Sequence, residues 1–317
     1  MTWRGLIVLA GALAGIAPAE AQYPARPVRL IVPFAAGSGT DTVARFVQPQ
    51  LSAALGQQVV IDNRAGAAGN LGAEIAAKAP ADGYAVLLAN ISHSISMTLY
   101  GKLGFDLIKD FEPVTSLASG SFTLAAHPSL PAKSVKELVA FAKKRPGEIN
   151  VATAGAALRL AAKLLDSMAG MRTTEINYKS TPQAVTAVVS GEASLGFPAT
   201  SAAIPHARTG KLRALAVTGA RRSPMASDVP TVAESGVPGY EVTTWYGLMV
   251  PARTPKEISA RLHAAAASAL GNPEVTKRFA TTDLEPAGST PEQFGTFVRS
   301  EIAKWGKVIK ESGMTAD

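Results

Sequence analysis

Short apolar runs alternate with amphipathic segments along most of the chain, and the first such unit lies at residues 28–46. Its continuous apolar run from Val28 to Val32 predicts a buried strand. Pro33 ends that run, and a glycine-containing turn, Gly37 to Asp41, leads into a segment with helical apolar spacing. The pattern therefore predicts a strand, a loop and a helix in that order.

The same alternation continues to the C-terminus. Further strands are predicted at residues 58–62, 84–89, 122–126, 149–153, 175–178, 193–197, 212–218 and 243–250. Helices are predicted between them, and two closing helices at residues 255–270 and 291–310. Strands that alternate with helices are typical of an α/β fold, with mostly parallel sheets flanked by helices.

A segment rich in proline and glycine, residues 224–240, interrupts this alternation and suits a connection between domains. We therefore expect two α/β domains joined by two hinge crossings. The first domain is expected to comprise residues 22–121 and 242–317, and the second residues 122–241.

Several helix starts are predicted from capping residues. Ser134, Thr254 and Thr290 each stand three residues before a Glu or Gln, which is the spacing of a capping box. Thr181 is followed by proline and is expected to cap another helix.

The first 21 residues have the pattern of an export signal. Arg4 supplies a positive charge, residues 5–17 are apolar, and Ala19-Glu20-Ala21 matches a small-residue cleavage site. We predict cleavage before Gln22. No later apolar run has the roughly 18 residues that a membrane span needs.

Composition narrows the classes of function. Removal of the signal takes one basic and one acidic residue, so the net charge stays at +7. The Lys and Arg residues are scattered along the sequence, which argues against nucleic acid as a partner. The absence of cysteine excludes disulfides and a thiol nucleophile. The four histidines are dispersed and no hydrolase or metalloprotease motif occurs, so we expect no catalysis, no metal and no cofactor.

Two turns between a strand and a helix are candidates for binding an anion. They are the turns at Gly37 to Asp41 and at Ala154 to Ala156. With the residues that precede these turns, Phe34 to Asp41 is here called the first loop and Thr153 to Ala156 the second loop. Free amides at a helix start favour negative charge, and glycine allows close approach. The alternative is ordinary turn chemistry, with Asp41 simply complementing the helix dipole. Nucleotide motifs fit poorly, because neither a dinucleotide fingerprint nor a P-loop matches the first loop.

Polar residues at 90–94 form a predicted third loop at the same sheet edge. His93 within it is either a ligand contact or a plain loop residue. Trp245 and Tyr246 are either core aromatics or walls of the pocket.

A set of ordered motifs covers nearly the whole chain after residue 22. They are Val32-Pro33-Phe34, Gly39-Thr40-Asp41, Asn63-Arg64-x-Gly66-x-x-Gly69-Asn70-x-Gly72, Asp82-Gly83-Tyr84, Gly210-Lys211-Leu212-Arg213 and Trp245-Tyr246-Gly247. In order and spacing these resemble the periplasmic substrate-binding proteins of tripartite tricarboxylate transporters, the Bug family.

The resemblance implies a periplasmic-binding-protein fold whose two domains close on a carboxylate, held largely through backbone groups. It also implies delivery to one large and one small integral membrane subunit. Together the loops and the resemblance give these expected ligand-binding residues: Phe34, Ala36, Gly37, Ser38, Gly39, Thr40, Asp41, Asn90, Ser92, His93, Thr153, Ala154, Gly155, Ala156, Tyr178, Phe197 and Pro198.

The chain also departs from the family pattern. The second loop is shorter than usual and lacks a hydroxyl and a glycine, and Pro198 follows Phe197 where members commonly carry Asp. We therefore expect fewer polar groups in the pocket, Arg159 near its rim as a substitute cation, and a larger share of the recognition in Gly37 to Asp41 than in other members of the family.

The expected function is capture of a small carboxylate in the periplasm by a monomeric solute-binding protein, for delivery to a membrane transporter. A protein that presents the carboxylate to a membrane sensor is the alternative, and a periplasmic enzyme acting on a carboxylate is a weaker one.

Overall fold

The computed structural model describes residues 23–316. The predicted export signal and its cleavage site therefore lie outside the described residues. Within residues 23–316, no helix combines the length and the apolar character needed to cross a bilayer.

Strands and helices alternate through the described chain. The strands are β1 Val28–Val32, β2 Val59–Asn63, β3 Ala85–Asn90, β4 Phe111–Ser121, β5 Thr123–Ala126, β6 Asn150–Thr153, β7 Thr174–Asn177, β8 Leu195–Gly196, β9 Arg213–Val217, β10 Thr243–Pro251 and β11 Leu284–Pro286. The α-helices are α1 Gly39–Leu55, α2 Asn70–Ala77, α3 Ile91–Leu99, α4 Val135–Lys144, α5 Gly155–Ala169, α6 Thr181–Ser190, α7 Thr200–Arg208, α8 Lys256–Leu270, α9 Pro273–Ala280 and α10 Pro291–Ser312. Two 3₁₀ turns cover Ala67–Gly69 and Pro224–Ala226.

The strands form two sheets. The first has the order β11-β4-β10-β3-β1-β2 and the second β7-β6-β8-β5-β9. In the first, β1 pairs in parallel with β2 and β3, whereas β10 and β11 pair antiparallel with their neighbours. In the second, β6 pairs in parallel with β7 and β8, and β5 pairs antiparallel with β8 and β9. The α/β fold is confirmed, but the sheets are mixed and not mostly parallel.

The chain passes between the sheets twice. It leaves the first sheet between β4 and β5, where only Phe122 separates the two strands, and it returns through the segment between β9 and β10. These two passages are called the crossings below. The segment 224–240 lies within the second crossing, as its prolines and glycines predicted.

Apolar side chains cover both faces of the first sheet. On one face Val43, Val47 and Leu51 of α1 pack against the strands together with α8 and α9. On the other face α3 and α10 pack, and the fully buried Trp305 belongs to this cluster. The cluster continues to α5 beside the second sheet, so α5 contacts both α3 and α10.

The apolar pattern located the buried strands well and missed several other elements. Every predicted strand has a counterpart within a few residues of its predicted bounds. The sequence analysis did not anticipate β4, β11, α7 or α9. Residues 91–99, whose first part was predicted to be a loop, form α3. Alternating polar residues on an otherwise buried helix concealed its periodicity.

The capping predictions had mixed outcomes. Thr290 forms the full capping box with Gln293. Ser134 caps α4, but the Glu137 side chain accepts from the amide of Lys133. Thr254 is not a cap, because its hydroxyl donates to the Pro251 carbonyl.

The cap residue of α6 was also misassigned. Ser180 occupies that position, and Thr181 is the first helical residue.

Candidate functional site

The first loop follows β1 and leads directly into α1. Ser38 is the N-cap of that helix, and its hydroxyl accepts from the amide of Asp41 at 3.2 Å. The amides of Gly39 and Thr40 donate no hydrogen bond to any described residue. The loop therefore presents two unsatisfied donors at the positive end of a helix dipole.

Asp41 holds the first loop through hydrogen bonds. Its side chain is buried, and its carboxylate accepts from the Gly37 amide at 2.9 Å, Asn63 Nδ2 at 3.0 Å and Arg45 Nε at 2.7 Å. Burial alone raises the pKa of Asp41, but the hydrogen bonds from Arg45, Gly37 and Asn63 outweigh it and hold that pKa below its usual value. Asp41 thus has local partners for both carboxylate oxygens.

Asn90 joins the end of β3 to the first loop. Its Nδ2 donates to the Thr40 hydroxyl at 3.0 Å, and its Oδ1 accepts from the amide of Ser92. Asn90 and Thr40 are both buried, so this bond is shielded from water. The structure therefore brings the first loop and the start of α3 into one hydrogen-bonded unit, as the sequence predicted for the sheet edge.

His93 lies inside α3 and completes its cap, so the expectation of a loop residue was wrong. The His93 Nδ1 accepts from the Asn90 amide at 3.0 Å. Its Nε2 has no hydrogen-bond partner among residues 23–316. Complete burial lowers the pKa of His93 to about 4, with backbone groups of Asn90 and Gly69 opposing that shift. His93 is consequently neutral at physiological pH.

Two close approaches hold the first loop against its neighbours. A Cβ atom at Gly69, which has a φ of +96°, would lie 2.9 Å from the ring of Phe34 and 3.3 Å from His93 Nε2. A Cβ atom at Gly39 would lie 3.0 Å from the hydroxyl of Tyr246. Tyr246 is largely buried and reaches the helix start, so it is both a core aromatic and a neighbour of the first loop.

The second loop is less constrained. Gly155 has a φ of +71°, which glycine adopts without strain, and Ala154 precedes α5 with no side chain able to cap it. The amides of Gly155, Ala156 and Ala157 donate no hydrogen bond to any described residue. The second loop and the first turn of α5 therefore present unsatisfied donors at a helix start.

An ion pair lies next to the second loop. Thr153 is fully buried, and its hydroxyl donates to Glu175 Oε1 at 3.1 Å. The same oxygen accepts from Arg159 Nε at 2.6 Å. The charge of Arg159 is thus balanced by Glu175, and this pairing does not fit the expected role of a substitute cation.

The remaining predicted residues lie around the second sheet. The Tyr178 amide donates to the Thr153 carbonyl at 2.8 Å, which places Tyr178 beside the second loop, while its hydroxyl donates to Glu192. Phe197 is buried in the core that extends from α3 and α5, and the Pro198 carbonyl accepts from the Thr123 amide.

Sequence reasoning missed the partners that position these loops. Asn63 and Gly69 hold the first loop, and Glu175 holds the second. Asn63 and Gly69 were visible as parts of a motif, but nothing in the sequence indicated which atoms they would contact. Among the described residues, no group of His, Asp and Glu is arranged to hold a metal ion.

Comparison with known proteins identifies the family. The model of the tripartite tricarboxylate transporter family receptor matches residues 43–314. Protein BugT of Bordetella pertussis is 35% identical over 308 residues, which are 95% of this chain and 94% of BugT.

Two solved structures are similar over almost their whole length. An R. palustris protein with adipate is 36% identical, with a TM-score of 0.77, and the match covers 92% of this chain and 99% of that one. MatC from Rhodopseudomonas palustris with bound malate is 32% identical, with a TM-score of 0.73, and the match covers 90% of this chain and 100% of that one. The chain therefore belongs to the tripartite tricarboxylate transporter receptors, the Bug family of periplasmic solute-binding proteins.

Proposed function

We propose that this protein captures a small carboxylate between its two sheets and delivers it to a membrane transporter with one large and one small integral subunit. The ligand is held by the first and second loops, with Asn90 and Ser92 beside them. Binding stabilises a closed arrangement of two domains, residues 22–121 with 242–317 and residues 122–241, and no bond is broken.

One observation carries the proposal. Each sheet contributes a loop whose amides at a helix start have no acceptor among the described residues, and neither loop places a free acidic side chain there. Such amides favour an anion. Two relatives with the same fold, described with adipate and malate, support a carboxylate as that anion.

A thermal-shift screen tests the ligand class. Mono-, di- and tricarboxylates and aromatic acids are each added to the mature protein, because a ligand that binds only the folded state raises the melting temperature. A carboxylate is expected to give the largest shift. If no carboxylate shifts the melting temperature while a neutral sugar or a cation does, the proposal is wrong.

Paired substitutions test the two loops. Ala36→Asp and Ala156→Asp place a negative charge where the ligand carboxylate would lie, whereas Ala36→Asn and Ala156→Asn are neutral controls of similar shape. Asp near a helix start is favourable for the helix itself, so we expect no general loss of stability. The Asp variants should lose the ligand-induced shift and the Asn variants should keep it. Retention of the shift in both Asp variants would place the site elsewhere.

Export and transport have separate tests. N-terminal sequencing of the protein from a periplasmic extract is expected to begin at Gln22, and a start at Met1 would refute cleavage. Uptake of the identified carboxylate should depend on this protein and on both membrane subunits. Uptake that persists without those subunits would instead favour a sensing role.

A further inference from the structure

A cavity of about 350 Å³ lies at the crossings between the two sheets. Its walls come from the ends of β4 and β10, from the segment after β9, and from β11 and α10. None of the ligand-binding residues expected from the sequence lines it. Its volume falls within the range of roughly 300–1,000 Å³ that is typical of small-molecule pockets. We call it the hinge cavity.

Asp283 is the most buried ionisable group in the wall of the hinge cavity, with only 9% of its surface exposed. Its two carboxylate oxygens accept from the hydroxyls of Ser223, at 2.5 Å, and Ser121, at 3.2 Å. No cationic side chain of the described residues forms an ion pair with it. Since a carboxylate has about four acceptor positions, this one can accept further hydrogen bonds. Buried carboxylates are normally paired with a cation.

The other charges of the wall have the same sign. Glu241 and Glu285 line the hinge cavity together with Asp283, and Arg221 is the single basic residue in its lining. Arg221 is already paired with Glu285, at 3.4 Å, and is largely exposed at the mouth. The lining therefore carries net negative charge and favours a cation, in contrast to the unsatisfied amides of the two loops.

An aromatic wall faces these carboxylates. Trp245 has ring centroids 5.7 Å from those of both Phe294 and Phe297, in edge-on arrangements, and all three line the hinge cavity. The indole Nε1 of Trp245 is buried and has no acceptor among the described residues. The wall can thus bury an apolar body.

We propose that the hinge cavity binds a small amine with an aromatic body, its ammonium group on Asp283. Ser121 is the last residue of β4, directly before the first crossing, Ser223 lies in the second crossing, and both donate to Asp283. The bound amine therefore contacts the point where the two crossings are tied together. This site is independent of the proposed carboxylate site, because no residue of either loop contributes to it.

Tyramine is a suitable probe, and 4-hydroxyphenylacetate is a control of similar size with the opposite charge. Both are titrated into the mature protein by calorimetry at pH 7. Asp283→Asn removes the charge, and Asp228→Asn is the matched control because Asp228 is exposed and outside the cavity. Ser119→Leu narrows the cavity without removing either hydrogen bond to Asp283.

Tyramine is expected to bind wild type and Asp228→Asn alike. In Asp283→Asn its affinity should fall by roughly ten- to a hundredfold, the usual effect of losing a charged hydrogen bond. Ser119→Leu should abolish binding while the melting temperature stays near that of wild type, which separates loss of the site from loss of the fold. Unchanged tyramine affinity in Asp283→Asn would overturn the proposal. So would 4-hydroxyphenylacetate binding that disappears in the same variant.

Discussion

Protonation of His93 should destabilise the protein as the pH falls below neutral. His93 is fully buried, with aromatic neighbours Phe34 and Phe105 at centroid distances of 6.4 Å, and burial lowers its pKa from 6.5 to about 4. Between these pH values the unfolded state binds a proton that the folded state does not. The stability contribution of neutral His93 is therefore complete above pH 6.5 and is lost as the pH falls toward 4.

The two pKa values set the size of the effect. One unit corresponds to about 1.4 kcal/mol, so the whole difference for His93 corresponds to roughly 3 kcal/mol. By pH 5 about 2 kcal/mol of this should be lost, compared with about 0.2 kcal/mol at pH 7. Because Nδ1 accepts the Asn90 amide, His93→Asn keeps an acceptor near that position and removes the titration.

Urea unfolding at pH 7 and pH 5 measures the effect. The free energy of unfolding of wild type should fall between these pH values by about 2 kcal/mol more than that of His93→Asn. The comparison cancels the other titrating groups and any constant cost of the smaller side chain. Equal losses in the two proteins would refute the reasoning, since they would mean that His93 has similar pKa values in the folded and unfolded states.

Three further substitutions test hydrogen bonds of the first loop and packing against β10. Thr40→Val leaves the buried side-chain amide of Asn90 without its acceptor and should lower the free energy of unfolding by about 1–3 kcal/mol in urea. Gly247→Ala places a Cβ atom against the buried ring of Phe294 and should lower the melting temperature clearly, whereas Gly101→Ala, with open space around it, should not. Asp41→Asn should have a lower free energy of unfolding than wild type at pH 7. Because the pKa of Asp41 is lowered in the fold, this difference in free energy should decrease in acid-unfolding curves below pH 3.8, the ordinary pKa of Asp.

The sequence predicted those parts of the fold that depend on local apolar pattern. Strands such as Val28–Val32 and Ala85–Asn90 are buried along most of their length, and a continuous apolar run is enough to reveal them. Phe111–Ser121 was missed because its proline, hydroxyl and glycine residues interrupt any regular alternation, although it is the longest strand of the first sheet. Its place is determined by pairing with β10, which is a tertiary contact.

The candidate site was predicted to a similar extent. The first and second loops could be located because glycine and a change of period mark a helix start. The roles of individual side chains could not, because they depend on partners that are distant in sequence. Thr153 and Arg159 both form hydrogen bonds with Glu175, and Asn63 reaches the first loop across 22 residues. The hinge cavity had no sequence signal, since its wall is assembled from both crossings and the C-terminal helix.

The two loops differ in a way that bears on which of them contributes more to recognition. Both loops present free amides at a helix start, but the first loop is held by Asp41 and Asn90, whereas the helix of the second loop has no capping side chain. Donors that are already fixed lose little conformational freedom on binding, while a loosely held loop must be ordered by the ligand. Ala36→Asp should therefore weaken carboxylate binding more than Ala156→Asp. The opposite order would mean that the rigidity of the first loop does not give it the larger share of recognition.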